Sequence, residues 1–358
     1  MLRRVINAWG TATPYGVSRS DDAVAAAMAQ MLGRYVVMDE LQALASRRTA
    51  AWSTAPAACV THCTAASVTL AVAACMAGSD PDRVARLPDT TGMAGRVLLL
   101  AAHQVNYGQP IVQAVRLAGA TPVVCADLDD VRTAAGQPGT AAVLAVESHL
   151  AAGSGGATTA ALLRIARAAG VPLVLDAAAQ DLRVHALVAG GADLVLVSAQ
   201  KYLRAPTAGL VLGRADLVAA VQAQQGGIGR AMKPTKEALA GVIAAIDVRE
   251  RLPVDAWRAA QQRRLDTVQA ASLGWRGIRA AREPDPHGNG FDRLWLSVDA
   301  AVAGVDAPTL VQRLRDGDPA VAVAPHRAAR GQIGLELSGV DDAETHVLCE
   351  LIAAALRG

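Results

Sequence analysis

The chain has 358 residues, enough for a large domain plus a smaller one, and its 34 basic against 32 acidic side chains leave a formal charge of +2. So even a balance argues against a nucleic-acid coat or a polybasic membrane patch, and neither kind of partner is expected. Five cysteines, an odd number without a CxxC pair, point away from a disulfide framework or a structural zinc site and toward a reducing cytoplasm.

In chain order, residues 1–48 read as an N-terminal segment. Arg3 and Arg4 have no apolar stretch behind them, so no signal peptide is expected. Residues 49–79 contain no Asp, Glu, Lys or Arg, but they are mostly Ala, Thr, Ser and Cys rather than a continuous Leu/Ile/Phe run. That composition predicts a buried segment, not a membrane span. Within it, the small residues at 62–67 lead into a helix running to about Met76. Apolar, β-branched runs at 97–101, 121–125, 141–147, 171–175, 192–198 and 210–213 then alternate with helical stretches at 110–118 and 158–169. Such alternation predicts an α/β fold, a mostly parallel sheet covered on both faces, with 49–246 as the large domain. The pattern changes near residue 246. A charged helix is expected at 247–273, a turn at 283–290, strands at 294–298 and 332–337, and helices at 308–315 and 342–356. Residues 247–358 thus read as a linking helix and a small α+β domain.

Arg is used almost everywhere a cation is needed, and the three lysines, Lys201, Lys233 and Lys236, fall in one window. A retained Lys suits a role that needs a deprotonatable amine. Ligands of open parallel sheets sit at the carboxyl ends of strands, where this sequence places His103, His149, Asp176, Ser198 and Lys201. An Asp at one strand end and a Lys just past the next are what pyridoxal phosphate needs: the amine forms an imine with the aldehyde, and the carboxylate keeps the ring nitrogen protonated. The plainer reading of Asp176 is a helix N-cap. Thr64, Ala65 and Ala66 open a helix and could offer N–H groups to a phosphate; a Ser/Thr cap without ligand gives the same pattern. His103 could stack on the cofactor ring or assist proton transfer, or be structural. Residues 226–229 (Gly-Gly-Ile-Gly) do not open a βαβ unit, so they are not a dinucleotide fingerprint. They read as a flexible loop presenting Arg230, Lys233 and Lys236 to an anionic substrate, or else to solvent.

The run 197–213 around Lys201 resembles the Schiff-base segment of bacterial selenocysteine synthase and its relatives, the D-glucosaminate-6-phosphate ammonia-lyases. Asp176-Ala177-Ala178-Ala179-Gln180 resembles the family's Asp-Ala-Ala-Ala-Glu strand end, and residues 229–236 resemble its downstream basic motif. Residues 5–8, 87–93 and the region of His103, Asn106 and Tyr107 add to the likeness, which spans roughly 5–246 and is strongest toward the ammonia-lyase branch. Ala199-Gln200 stands for a glycine-containing pair, Ala205 for a glycine and Thr207 for a glutamine. The resemblance implies a fold-type-I pyridoxal-phosphate enzyme working as a homodimer or larger ring. It gives Lys201 the imine, Asp176 the ring nitrogen, Ser198 a phosphate contact, and Arg230 and Lys233 an acidic substrate group, including across a subunit boundary. Asn106 and His149 are expected as further substrate contacts. Arg327 and Arg330 are the candidates for the carboxylate-binding arginine of the family's C-terminal strand. The tRNA-binding N-terminal region of the selenocysteine synthases is not read here, so a small substrate is expected.

The expected activity is a lyase reaction on a small amino acid or amino-sugar acid. Lys201 removes the α-proton, and loss of a β-substituent leads to a 2-oxo acid and ammonia. A racemase or epimerase and an aminotransferase would use the same residues and stay open, as does a non-catalytic binding protein on a degenerate scaffold.

Overall fold

The computed structural model describes residues 2–151 and 156–358. The chain divides into two compact units, Ser20–Glu250 and a smaller one made of Met1–Arg19 with Arg251–Gly358. The first strand along the chain, β1 (Val5–Asn7), belongs to the smaller unit.

The large unit begins with α1 (Asp22–Leu32) and α2 (Met38–Ser53), followed by β2 (Ala57–Thr61), α3 (Thr64–Ala77) and α4 (Pro81–Arg86). The repeating part is β3 (Arg96–Leu100), α5 (Val112–Leu117), β4 (Thr121–Cys125), α6 (Leu128–Ala135), β5 (Thr140–Val146), α7 (Gly156–Ala169) and β6 (Leu173–Asp176). It closes with α8 (Val184–Ala189), β7 (Leu194–Ser198), β8 (Gly209–Gly213), α9 (Ala215–Gln224) and α10 (Lys236–Arg251). The sheet has seven strands in the order β2-β8-β7-β6-β5-β3-β4. The pairs from β4 to β7 are parallel, and β8 runs antiparallel to both of its neighbours.

Alternation along each strand sends side chains to two separate clusters. Leu98 and Leu100 of β3 join Leu162 of α7 on one face, while Val97 and Leu99 join Leu70 of α3 on the other. With both faces covered, the strands need no polar side, which is why they appear in the sequence as unbroken apolar runs. Each fully buried Leu or Val contributes roughly 1.5–3 kcal/mol. The charge-free stretch at 49–79 has the same cause: from Ala66 to Ala77 every residue of α3 except Cys75 is buried. That stretch also holds β2, a strand the sequence pattern does not reveal.

The smaller unit contains α11 (Val254–Ser272), β9 (Ile278–Pro284), β10 (Asp292–Val298), α12 (Ala300–Ala303), α13 (Ala307–Asp316), β11 (Ala320–Ala322), β12 (Gln332–Leu335) and α14 (Asp342–Arg357). Strands β12-β10-β9 form an antiparallel sheet, and β1 pairs in parallel with β11. Leu265 and Val268 of α11 pack with Leu294 and Leu296 of β10 and with Leu348 and Ile352 of α14. The helix expected at 247–273 is two helices. Pro253 caps α11, lacks a backbone N–H and disfavours helical geometry at Leu252, so α10 stops at Arg251. Among the described residues, no helix is long and apolar enough to cross a membrane.

Candidate active site

Strand β6 ends on Asp176, which is 5 % exposed. The backbone then turns at once, and the Ala178 N–H donates to Asp176 Oδ1 at 3.1 Å. Burial pushes the Asp176 carboxyl up to about 6, while the Lys201 charge and the Ala178 amide pull it back down. The neighbouring strand β7 ends on Ser198, whose N–H donates to the Ala178 carbonyl at 3.1 Å, so the two strand ends are tied together. Lys201 follows in the loop between β7 and β8. The neck of that loop is closed by Ala199 N–H to Ala208 O and Ala205 N–H to Ala199 O, both at 3.0 Å.

Asp176, Ala178 and Lys201 share a cavity of about 640 Å³ with the start of α3. Cys63 is the N-cap there; its Sγ accepts from the Ala66 N–H at 3.5 Å, and Thr64, Ala65 and Ala66 line the cavity. Thr64 Oγ1 is buried and without a hydrogen-bond partner. Strand β8 fixes this turn from behind. A Cβ on Gly209 would lie 2.3 Å from Ser67 Oγ and 2.6 Å from the Cys63 carbonyl carbon, so only glycine fits. The opposite wall comes from Tyr107, Gly108 and the first turn of α5. Tyr107 is 54 % exposed. Burial of part of the side chain and the Asp176 charge together push its phenol up to about 12, against a hydrogen bond with Ser148 that lowers it.

The expected residues separate into two sets. Lys201, Asp176, Thr64, Ala65 and Ala66 meet in the cavity; Ser198, His103, Asn106, His149, Arg230 and Lys233 are not among its lining residues. His103 is 1 % exposed just past β3. Its Nδ1 accepts from the Val146 N–H at 3.2 Å, its buried Nε2 has no partner, and burial lowers its pKa, so the ring is neutral. Asn106 shapes its own loop, with Oδ1 accepting from the Gly108 N–H at 2.9 Å. His149 is exposed in the turn after β5. The glycine-rich segment differs from its expectation as a flexible loop. A Cβ on Gly227 would meet Val84 Cγ1 at 2.7 Å, and one on Gly229 would meet Leu70 Cδ2 at 2.5 Å, so these glycines permit close packing. Lys236 donates to the carbonyls of Leu32 and Arg34 at 3.1 and 2.5 Å and thereby caps α1 instead of facing a ligand. Arg230 and Lys233 are exposed on either side of Met232, which does line the cavity and is held to β2 by the His62 N–H at 3.0 Å. In the smaller unit, Arg327 is committed to Glu283 by two bonds of 2.7 and 2.9 Å and lies 3.8 Å over the Trp295 ring, and Arg330 is exposed.

Sequence reasoning passed over Tyr107, Cys63 and Met232 as lining residues. Tyr107 carried a signal, as one of only four tyrosines in the chain. Cys63 and Met232 carried none, since a small residue before a helix and a Met in a basic segment are ordinary.

The cavity suits pyridoxal phosphate group by group. The orphaned Thr64 hydroxyl and the α3 N-terminus match a phosphate, Asp176 a ring nitrogen, and the Lys201 amine an aldehyde. No family model matches the chain. It is 33 % identical to a D-glucosaminate-6-phosphate ammonia lyase of Salmonella typhimurium, over 99 % of this chain and 95 % of that one. It is 34 % identical to a 5'-C-glycyluridine monooxygenase-decarboxylase of a Streptomyces species, over 93 % and 84 %. The solved structure of a D-glucosaminate-6-phosphate ammonia-lyase superposes with a TM-score of 0.90 at 31 % identity, covering 99 % of this chain and 96 % of that one. A serine palmitoyltransferase of Sphingomonas wittichii, 14 % identical with a TM-score of 0.60, shares the fold. The chain belongs to the D-glucosaminate-6-phosphate ammonia-lyase-like family of fold-type-I pyridoxal-phosphate enzymes.

Proposed function

We propose that the chain is a lyase that eliminates a β-substituent from a small amino acid or amino-sugar acid, giving a 2-oxo acid and ammonia. The observation that carries this reading is the convergence of Lys201, Asp176 and the α3 N-terminus on one cavity. Bound there, pyridoxal phosphate supplies an aldehyde for the substrate amine and a protonated ring that takes up the electron pair left at Cα. The backbone amides of Thr64, Ala65 and Ala66 hold the phosphate, and Asp176 keeps the ring proton in place. Lys201, once displaced by the substrate amine, stands beside Cα as a neutral base and takes its proton. Arg230 and Lys233 hold an acidic group of the substrate, and His103, bonded to the end of β5 through the Val146 N–H, takes no direct part. The same reading includes a homodimer or larger assembly in the cytoplasm, with residues 49–246 as the cofactor-binding part and 247–358 as the small domain.

The test is incubation with a panel of amino acids and amino-sugar acids, with no added acceptor. Release of 2-oxo acid and ammonia in equal amounts supports the lyase; their absence across the panel removes it. The Streptomyces relative favours one further reading, an oxygen-dependent decarboxylation in the same cavity. Oxygen uptake with release of carbon dioxide on the same panel would select it instead.

A further inference from the structure

Asp181 begins the turn Asp181–Arg183, five residues after Asp176, and is 2 % exposed. Neither of its carboxylate oxygens has a hydrogen-bond partner. Arg249, on α10, makes no ion pair with it, but the two charges act on each other. Its Nη1 is buried and also without a partner, while its Nη2 donates to the carbonyl of Tyr202, the residue next to Lys201. Burial pushes the Asp181 carboxyl up to about 6. The Arg249 charge leads the opposing pull, joined by the Asp181 and Tyr202 amides and by the Lys201 charge. Burial likewise lowers the Arg249 pKa, and the Asp181 charge raises it.

A buried arrangement of opposite charges that form no ion pair is a poor device for stability, because desolvation goes uncompensated. Its location gives it another role. The loop carrying Lys201 is closed at its neck by the Ala199–Ala208 and Ala205–Ala199 bonds, and within it the Arg204 N–H donates to Lys201 O at 3.2 Å. Arg204 has a φ of +59°, so the turn is held in a conformation unusual for a side chain of that size. Arg249 adds a bond from outside the loop, on the Tyr202 carbonyl, one residue past the lysine. Neither Asp181 nor Arg249 lines the cavity.

We propose that Arg249 is a positioning residue that grips the Tyr202 carbonyl and aims the Lys201 amine into the cavity. Arg249 supplies the grip, and the buried charge of Asp181 favours the charged guanidinium there. This rests on Lys201 being the lysine that bonds the cofactor.

The experiment strips the cofactor, adds it back, and follows the rate at which borohydride fixes it to Lys201, located by peptide mapping. Arg249→Met should slow this capture and lower kcat by roughly ten- to a hundredfold, the loss of one charge-assisted hydrogen bond, with KM little changed. Arg249→Lys should recover part of both. Asp181→Asn should slow capture similarly, and the double variant should be no slower than the worse single one, because the two act as a unit. A lower melting temperature with wild-type capture rate and kcat in Arg249→Met and Asp181→Asn would overturn the inference and leave a structural brace. If Arg249→Met does not fold, unchanged capture in both Arg249→Lys and Asp181→Asn has the same force. Label on Lys233 or Lys236 in the unaltered protein would overturn the cofactor-lysine reading itself, and the inference with it. Label on Lys201 with unchanged variant rates overturns the inference alone.

Discussion

At the strand ends of the large unit, Asp176 is buried with a carboxyl raised to about 6, and Thr64 Oγ1 has no partner. In the smaller unit, Asp285 is just as buried, yet its Oδ2 accepts from the His287 N–H, the Asn289 N–H and the Asn289 side chain at 3.1, 3.3 and 3.0 Å. Its Oδ1 takes the Arg293 guanidinium at 2.7 Å, and the same guanidinium reaches Glu336 at 3.1 Å. Even the backbone makes room for this cluster: Gly10 has a φ of +78°, and a Cβ there would lie 2.2 Å from Glu336 Oε2. The contrast separates buried charge that is saturated by the fold from buried charge held ready for something else. Saturated groups have no capacity left for a ligand, whereas an under-satisfied group beside a cavity is stabilised when a ligand arrives.

The largest effects should therefore come from the cavity and appear in chemistry, not in folding. Lys201→Ala should abolish borohydride trapping of the cofactor. Asp176→Asn should keep the fold and lower α-proton exchange of substrate in deuterated water by orders of magnitude, because an amide cannot hold the ring nitrogen protonated. Wild-type exchange in Asp176→Asn would end the idea that the under-satisfied carboxylate at the cavity is the functional one.

The saturated cluster should behave in the opposite way. Arg293→Met leaves Asp285 and Glu336 buried without their cation and should cost about 3–5 kcal/mol of unfolding free energy. Urea unfolding of the cofactor-loaded protein measures it. At concentrations where the variant is folded, kcat should remain within a few-fold of wild type. A large fall in kcat with little loss of stability would break the comparison.

Part of this contrast was legible in the sequence. Asp176 and Lys201 were found because a buried parallel strand is an unbroken apolar run, so its end can be seen and the first polar residue beyond it stands out. The chain positions of the strands from β3 to β8 and of α3, α5, α7, α13 and α14 were legible too, whereas α1, α2, α4, α6, α8 and α9 were not placed. Strand β2 was not, because Ala, Cys and Thr in a charge-free stretch look the same in a strand and in a buried helix. Asn106, His149 and the cations at 230–236 were named from type and neighbourhood. Their geometry depends on side-chain reach and on distant partners, such as the Leu32 and Arg34 carbonyls that occupy Lys236. Nothing local in the sequence encodes those.

The under-satisfied state of Asp176, with one hydrogen bond from Ala178, also has a pH signature in protein stripped of cofactor. Its carboxyl is raised from 3.8 to about 6 on folding, so the folded form holds the proton more tightly than the unfolded form. That contribution is fully present below about pH 3.8 and is lost as pH rises through about 6; by neutral pH the loss amounts to about 3 kcal/mol. Asp176→Asn does not titrate. Its stability relative to wild type should thus climb between pH 4 and 7, by urea midpoints. Adding cofactor, which sets a positive ring nitrogen against the carboxylate, should shrink that difference. A flat difference in stripped protein would show that the carboxylate is satisfied after all.

The smallest effects separate two lysines that the sequence places three residues apart. Lys236 is saturated, with its amine on two backbone carbonyls at the end of α1. Lys233 is exposed beside Met232 at the cavity. If the contrast between saturated and unsatisfied groups extends to the surface, Lys236→Ala should lower stability by about 0.5–1.5 kcal/mol and leave kcat/KM alone. Lys233→Ala should leave stability and cofactor trapping alone while raising KM by roughly ten- to a hundredfold, the value of a charge-assisted bond to an acidic substrate group. Mixing Lys233→Ala chains with Lys201→Ala chains adds a geometric arm. If Lys233 serves a neighbouring subunit's cavity, mixed assemblies regain part of the activity that each variant lacks; if it serves its own, the Lys201→Ala chains add nothing. An unchanged KM in Lys233→Ala would return this lysine to the solvent, where an exposed charge contributes about 0–1 kcal/mol and recognises nothing.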